Sequence, residues 1–417
     1  MILRAKYLIP NSEHIIENGA IEIRGSEIVD IGTYSTLRRN NATTVCDFGE
    51  AVILPGLVNA HIHLELTNHH DLIERTERFT DWILQLVQYR RDDQAWVDRA
   101  VNDGISMSLA GGTTAVGDIH GFKRVAQTLK NSPLRKVVFF ETMGFSTERA
   151  QLGIERIDSN LASASPPSPL FTPAVSPHAP NSTSAMLYRH CLAIVQSRGL
   201  HFCTHLSETP EEIEFLATGT GAFADLLNTL QISMEGWTPP GVSPVQYISD
   251  LGVLKARPLL AHCNYLTDQD IQILAESGSS VVFCPRAHHY FNHTDHPIER
   301  LLEAGVNVAV GTDSLASNWS LSMLDELKFL AQTQPSILPE TVIDLATING
   351  AKGLRLNRVG KLEKGWQADM IAVRIANDGS PLIEQILDES SQNLLTVVAG
   401  KICYDRTLRE DDAPAEL

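Results

Sequence analysis

Nowhere does this 417-residue sequence hold a run approaching the ~20 apolar residues needed to cross a bilayer. Its start, Met1-Ile2-Leu3-Arg4-Ala5-Lys6, lacks the apolar segment of a signal peptide. Basic residues are scarce: 33 Lys and Arg stand against 50 Asp and Glu, a formal net charge of −17. That balance argues against nucleic acid or an anionic membrane as partner, because phosphate binding needs clustered Lys and Arg. Paired cysteine spacing is also missing. Cys46, Cys191, Cys203, Cys263, Cys284 and Cys403 are scattered and read as reduced thiols in a cytoplasmic protein, acting as small buried apolar residues. The remaining composition, 43% hydrophobic and 20% charged, is that of a globular chain long enough to bury a core without staples.

The two ends share one character. Residues 20–32 alternate apolar and polar around Gly25, as a hairpin does, and the segments 369–374 and 395–403 read the same way. A small β-sandwich domain built from residues 1–53 plus 358–417 is expected. Between them, apolar strand-like runs alternate with longer helix-like segments and end near His63, Asp118, Glu141, His178, His205, His262, Cys284 and Asp313. Eight such units over residues 54–357 point to a parallel (β/α)8 barrel of the TIM type, within the α/β class. Each named residue closes its run at the C-terminal end, where such barrels assemble active sites. The Pro/Ser-rich stretch 163–169 reads as a surface connection.

The sharpest signal is His61-Ile62-His63, at the end of the apolar stretch Ala51-Val52-Ile53-Leu54. Residues two apart on a strand project the same way, so two imidazoles can grip one ion from adjacent directions. His205, His262 and Asp313 close three further runs. A histidine at one strand end is usually structural. Five polar residues on four strands resist that explanation, because buried ionisable groups are costly unless paired or metal-bound. Three imidazoles and one carboxylate suit zinc or iron and leave room for water, whose pKa falls from ~15.7 toward ~7 beside such an ion. Glu208, three residues after His205, is placed to reach a substrate and shuttle a proton, or is only a helix-start carboxylate stabilised by the dipole.

These motifs resemble the amidohydrolase superfamily. They are Pro-Gly-Leu-Val-Asn-Ala-His-Ile-His from 55, His-Leu-Ser-Glu-Thr from 205, Ala-His-Cys from 261 and Gly-Thr-Asp-Ser from 311, continuing through 346–351 and 360–369. The resemblance covers nearly the whole chain. Its nearest branch contains cytosine deaminase, S-adenosylhomocysteine deaminase and the triazine hydrolases. It implies one divalent ion, zinc or iron, held by His61, His63, His205 and Asp313. It also implies that His262 orients the attacking hydroxide. Residues 171–178 offer no lysine to bridge two metals, so a mononuclear site is expected. The deaminases of this branch carry His-x-x-Glu after the fifth strand, which makes Glu208 the ring-nitrogen proton donor and Asp313, Glu208 and His262 the expected catalytic group. Hydrolytic deamination of a 6-aminopurine nucleoside follows, with other heteroaromatic deamination or triazine dechlorination as the alternative.

Substrate contacts are read from shorter signals. His178, in Ser-Pro-His-Ala-Pro, resembles a substrate-contacting histidine, or packs under its loop. Arg286 is placed to clamp a substrate carboxylate, or is a solvated or ion-paired loop residue. Together with Glu65, this loop is similar to that of the aminodeoxyfutalosine deaminases of menaquinone biosynthesis. Trp82, with Phe79, either stacks on a purine or fills a helix face. The histidines at 288, 289, 293 and 296 read as a polar loop in preference to a second metal site. Trp319 and apolar outer helices leave room for a homodimer.

Overall fold

A computed structural model describes residues 1–38, 44–91, 93–122, 125 and 127–407. The terminal β unit expected from sequence therefore reaches into residues 39–43 and 408–417, which lie outside those described. Eight parallel strands form one sheet: β1 (Leu57–Ile62), β2 (Thr113–His120), β3 (Arg135–Thr142), β4 (Phe171–Pro177), β5 (His201–Leu206), β6 (Leu259–His262), β7 (Ser280–Phe283) and β8 (Asn307–Val310). They neighbour one another in chain order, and a bridge between Ile62 and Asp313 brings the last edge back to the first. This is a (β/α)8 barrel, nearly closed.

Strand alternation sorts the barrel's side chains into two sets. Val58, Ala60, Ala115, Ile119, Val137, Phe139, Ala174, Cys203, Leu259, Val282 and Ala309 fill one apolar cluster inside the ring. Their neighbours Val116, Val138, Val175, Phe202, Leu260, Val281 and Val308 face the helices in a second cluster. The inward parity then decides who reaches the mouth. Glu141 follows Val137 and Phe139, His178 follows Ala174, and His205 follows Cys203. Side-chain caps start the surrounding helices, as Ser146, Ser184, Thr209 and Ser322 each accept a backbone N–H from the first turn.

Two more sheets come from the chain ends. One runs Glu27–Thr33, Gly19–Arg24, Ile2–Arg4, Val45–Asp47, and the Gly19–Arg24 and Glu27–Thr33 strands form the expected antiparallel hairpin. The other runs Lys401–Asp405, Gln392–Val398, Met370–Arg374, Ala51–Pro55, Tyr7–Asn11, His14–Glu17. Leu3, Leu8, Ile21, Ile23, Ile53, Met370 and Val397 pack together between them.

One element departs from the sequence reading. The apolar run Ala51–Pro55 is not the strand that carries the histidine pair; it pairs antiparallel with Met370–Arg374 in the terminal sheet. Gly56 then separates it from β1, and a Cβ at Gly56 would lie 2.2 Å from the Thr114 side chain, so only glycine allows the chain to cross there. Among the described residues, no helix is long and apolar enough to cross a membrane.

Candidate active site

Side chains from four strands converge at the C-terminal mouth of the barrel. The register of β1 against β2 slips between Asn59 and Ile62, the kind of irregularity that re-aims a side chain, and His61 ends fully buried. Its ring centroid lies 5.0 Å from that of His63, 4.9 Å from His205 and 5.3 Å from His262. The Nε2 atoms of His61 and His63 each sit 3.5 Å from Asp313 Oδ1, and those of His63 and His205 are 3.4 Å apart. Gly311 makes this approach possible, because a Cβ there would stand 2.7 Å from the His61 carbonyl oxygen. His262 and Asp313 both adopt left-handed backbone, φ +70° and +58°, which turns them inward at the ends of β6 and β8.

These residues fit a metal ion. Donor atoms of His61, His205 and His262 lie within 4.8 Å of one another, and so do those of His61, His63 and Asp313. His61 is a fully buried imidazole with no hydrogen-bond partner on either ring nitrogen among the described residues. Burial pushes the His63 and His262 imidazoles down to about 3. Burial and the neighbouring His178 and His61 take His205 well below its usual value. All three are thus neutral, as ligation requires. Burial alone would raise the Asp313 carboxyl. The neighbouring His61, His262 and His63 win, and Asp313 is held well below the carboxylate range. Ser317 Oγ also donates to Asp313 Oδ2 at 2.7 Å, and His205 Nδ1 lies 3.1 Å from the His178 carbonyl, which fixes the ring's orientation.

Glu208 faces this cluster. Its Oε1 is 3.6 Å from His262 Nε2, and burial, with the charges of Asp313 and Glu212, raises its carboxyl well above the ordinary value. Glu208, His178, Trp82 and Glu65 line one cavity of about 130 Å³ together with His63, His205, His262 and Asp313, while His61 is fully buried. It opens past Phe79, Trp82 and Met143 into a groove of about 410 Å³. The groove walls are apolar, with Phe145, Phe223, Leu226 and Ile232, and carry Arg149 and Arg156.

Residues 52–403 match the amidohydrolase family. The chain belongs to that family. The 5-methylthioadenosine/S-adenosylhomocysteine deaminase of Syntrophobacter fumaroxidans is 30% identical to it over 85% of this chain and 80% of the relative. The aminofutalosine deaminase of Helicobacter pylori, solved with methylthio-coformycin, superposes with a TM-score of 0.84 at 24% identity, covering 96% of this chain and 99% of that one. The atrazine chlorohydrolase of Arthrobacter aurescens, solved with zinc, superposes at 0.80 and 19% identity, covering 97% and 95%. At such identities the two solved structures bear on the fold.

Not every residue singled out in the sequence reaches the pocket of this amidohydrolase. Arg286 is a correction. It is 1% exposed, not at the rim. Its Nε donates to Glu326 Oε2 at 2.6 Å, its backbone N–H donates to Glu326 Oε1 at 2.8 Å, and Nη2 donates to the Ser320 and Ser322 carbonyls. A buried guanidinium must be paired, and Glu326, forty residues on, was invisible to a reading of the loop alone. Replacing Arg286 with Ala strands the Glu326 charge, and urea unfolding should show a loss of about 3–5 kcal/mol.

Glu65 lines the cavity, with Oε1 accepting the Gly121 N–H at 3.0 Å and Oε2 lying 3.3 Å from His120 Nδ1. Trp82 lines it too, with Nε1 donating to the Ala316 carbonyl at 3.2 Å and its ring stacked on Phe79 at 5.7 Å. His178 is held by Ser182, whose Oγ is 2.6 Å from Nδ1, and burial pushes it down to about 4. The histidine-rich segment backs the site. His296 Nε2 is 3.0 Å from the His262 carbonyl, and its ring stacks on Phe283 at 3.8 Å.

Glu141 was missed as a site residue. It closes β3, lines the cavity, and gathers with His178 and His205 within 4.8 Å, while burial drives its carboxyl up to about 7. Its place at a strand end was legible; its inward parity followed only from the strand's bounds.

Proposed function

We propose that this chain is a metal-dependent aminohydrolase acting on 6-aminopurine nucleosides, with one zinc ion held by His61, His63, His205 and Asp313. The observation that carries the reading is Glu208, a buried carboxyl set 3.6 Å from His262 in a cavity that His63, His205 and Asp313 also line. The bound ion supplies Lewis acidity that makes water nucleophilic at neutral pH.

The chain's own residues do the rest. Glu208 gives its proton to the ring nitrogen next to the amine-bearing carbon as water oxygen adds to that carbon. The carboxylate so formed takes the proton that the added water releases and passes it to the amine, which leaves as ammonia, and the remaining hydroxyl proton returns to Glu208 as the C=O forms. His262, neutral and anchored through its carbonyl by His296, orients the water. His178, with Nδ1 tied to Ser182, presents its other face to the ring. Phe79 and Trp82 wall the entrance and exclude bulk solvent.

The groove favours a nucleoside with a substituent on its sugar. Its apolar walls suit a thioether or aromatic extension, and Arg149 and Arg156 suit an acid at the far end. That chemistry matches methylthio- or homocysteinyl-adenosine and aminodeoxyfutalosine alike. It moves the expected carboxylate contact from Arg286 to these two arginines. A cytoplasmic location stays part of the proposal, since all six cysteines are free thiols.

Zinc-loaded protein is expected to release ammonia from 5′-methylthioadenosine, with the adenine absorbance moving to that of hypoxanthine. Release of chloride from a chlorotriazine without ammonia from any aminopurine would favour the alternative. Silence toward adenine, guanine, cytosine and pterin substrates would defeat the deaminase reading.

A further inference from the structure

We propose that Glu212 is a positioning residue that fastens the backbone of Glu208, an inference that rests on the proton-donor role assigned to Glu208 above. The helix Pro210–Thr218 begins with Thr209 as its cap, whose hydroxyl accepts the Glu212 N–H at 3.2 Å. Thr-x-x-Glu at a helix start usually forms a capping box, in which the glutamate returns to the N–H of the cap residue itself. Here it reaches one residue further back. Glu212 Oε2 accepts the Glu208 N–H at 2.9 Å.

Glu208 needs such a hold. It follows Ser207, which sits in left-handed backbone at φ +49° between the end of β5 and the helix. Its carbonyl is held from the other side, by Asn264 Nδ2 at 2.9 Å, and the Tyr265 N–H donates to the Ser207 carbonyl at 3.2 Å. The Glu208 peptide is thus clamped at its N–H by its own helix and at its C=O by the loop after β6.

Glu212 is an expensive way to cap a helix if capping is all it does. Its side chain is fully buried, and its Oε1 has no hydrogen-bond partner among the described residues. Its cost is offset if the carboxyl also sets the geometry of Glu208.

The test is a double-mutant cycle on the zinc-loaded enzyme with 5′-methylthioadenosine. Glu212→Ala should lower kcat about 10–100-fold, the size of effect expected for a misplaced catalytic group, with KM within about threefold. Glu212→Gln keeps an oxygen for the Glu208 N–H and should restore most of that rate. Glu208→Gln/Glu212→Ala should be no more than about twofold slower than Glu208→Gln alone, because the second change acts through the first. Should Glu212→Ala fail to fold, Glu212→Asp, too short by a methylene to reach the Glu208 N–H, takes its place with the same expected loss. Wild-type kcat in Glu212→Ala, or in its Asp substitute, overturns the inference, and so does a double variant slower by the product of the two single effects. Full activity in Glu208→Gln would instead remove the role given to Glu208 and this inference with it. A crippled Glu208→Gln beside an unaffected Glu212 variant removes the inference alone.

Discussion

Glu208→Gln is expected to lower turnover ~10²–10⁴-fold, the usual contribution of a positioned proton donor, while the protein keeps its ion and its fold. Gln is isosteric and leaves the backbone clamp of Glu212 and Asn264 untouched. What it removes is the acid whose Oε1 stands 3.6 Å from His262 Nε2. The loss should fall on kcat more than on KM, because the carboxyl acts as bonds change. Steady-state ammonia release over a range of 5′-methylthioadenosine concentrations separates the two. Unchanged kcat would strip Glu208 of its place in the reaction.

Asp313→Ala should be the more damaging change, with turnover falling by more than ~10³-fold, because activation of water depends on the ion that Asp313 helps hold. Asp313 Oδ1 is the oxygen that both His61 and His63 approach at 3.5 Å, so its removal leaves three imidazoles without the one negative ligand. Ion content per chain should drop with the rate. A chelator should reproduce the loss in the wild-type enzyme, and added zinc should reverse it there but not in Asp313→Ala. An Asp313→Ala protein with wild-type ion content and rate would show that the carboxylate is not part of the cage.

Much of this site could be read from the sequence, for a physical reason. Strand parity ties side-chain direction to residue number, so the His61–His63 pair, His205 and His178 at strand ends could be assigned to one mouth before any coordinates. The family motifs reinforced the strand-end reading of His262 and Asp313, where simple alternation does not reach, because both residues take left-handed backbone. What escaped was long-range pairing. Arg286 looks like a free pocket cation until Glu326 is brought against it, and Ala51–Pro55 looks like the strand leading to His61 until Met370–Arg374 claims it. Glu212 was hidden differently. Its spacing from Thr209 spells a helix cap, and only the observed reach to the Glu208 N–H distinguishes a cap from a clamp.

The most direct test of the proposed cage is elemental analysis of the purified, fully folded enzyme after careful exchange into metal-free buffer. About one zinc or iron per chain is expected, falling in step with activity when Asp313 is replaced. Less than ~0.2 ion per chain in a protein that still deaminates would contradict the account at its root.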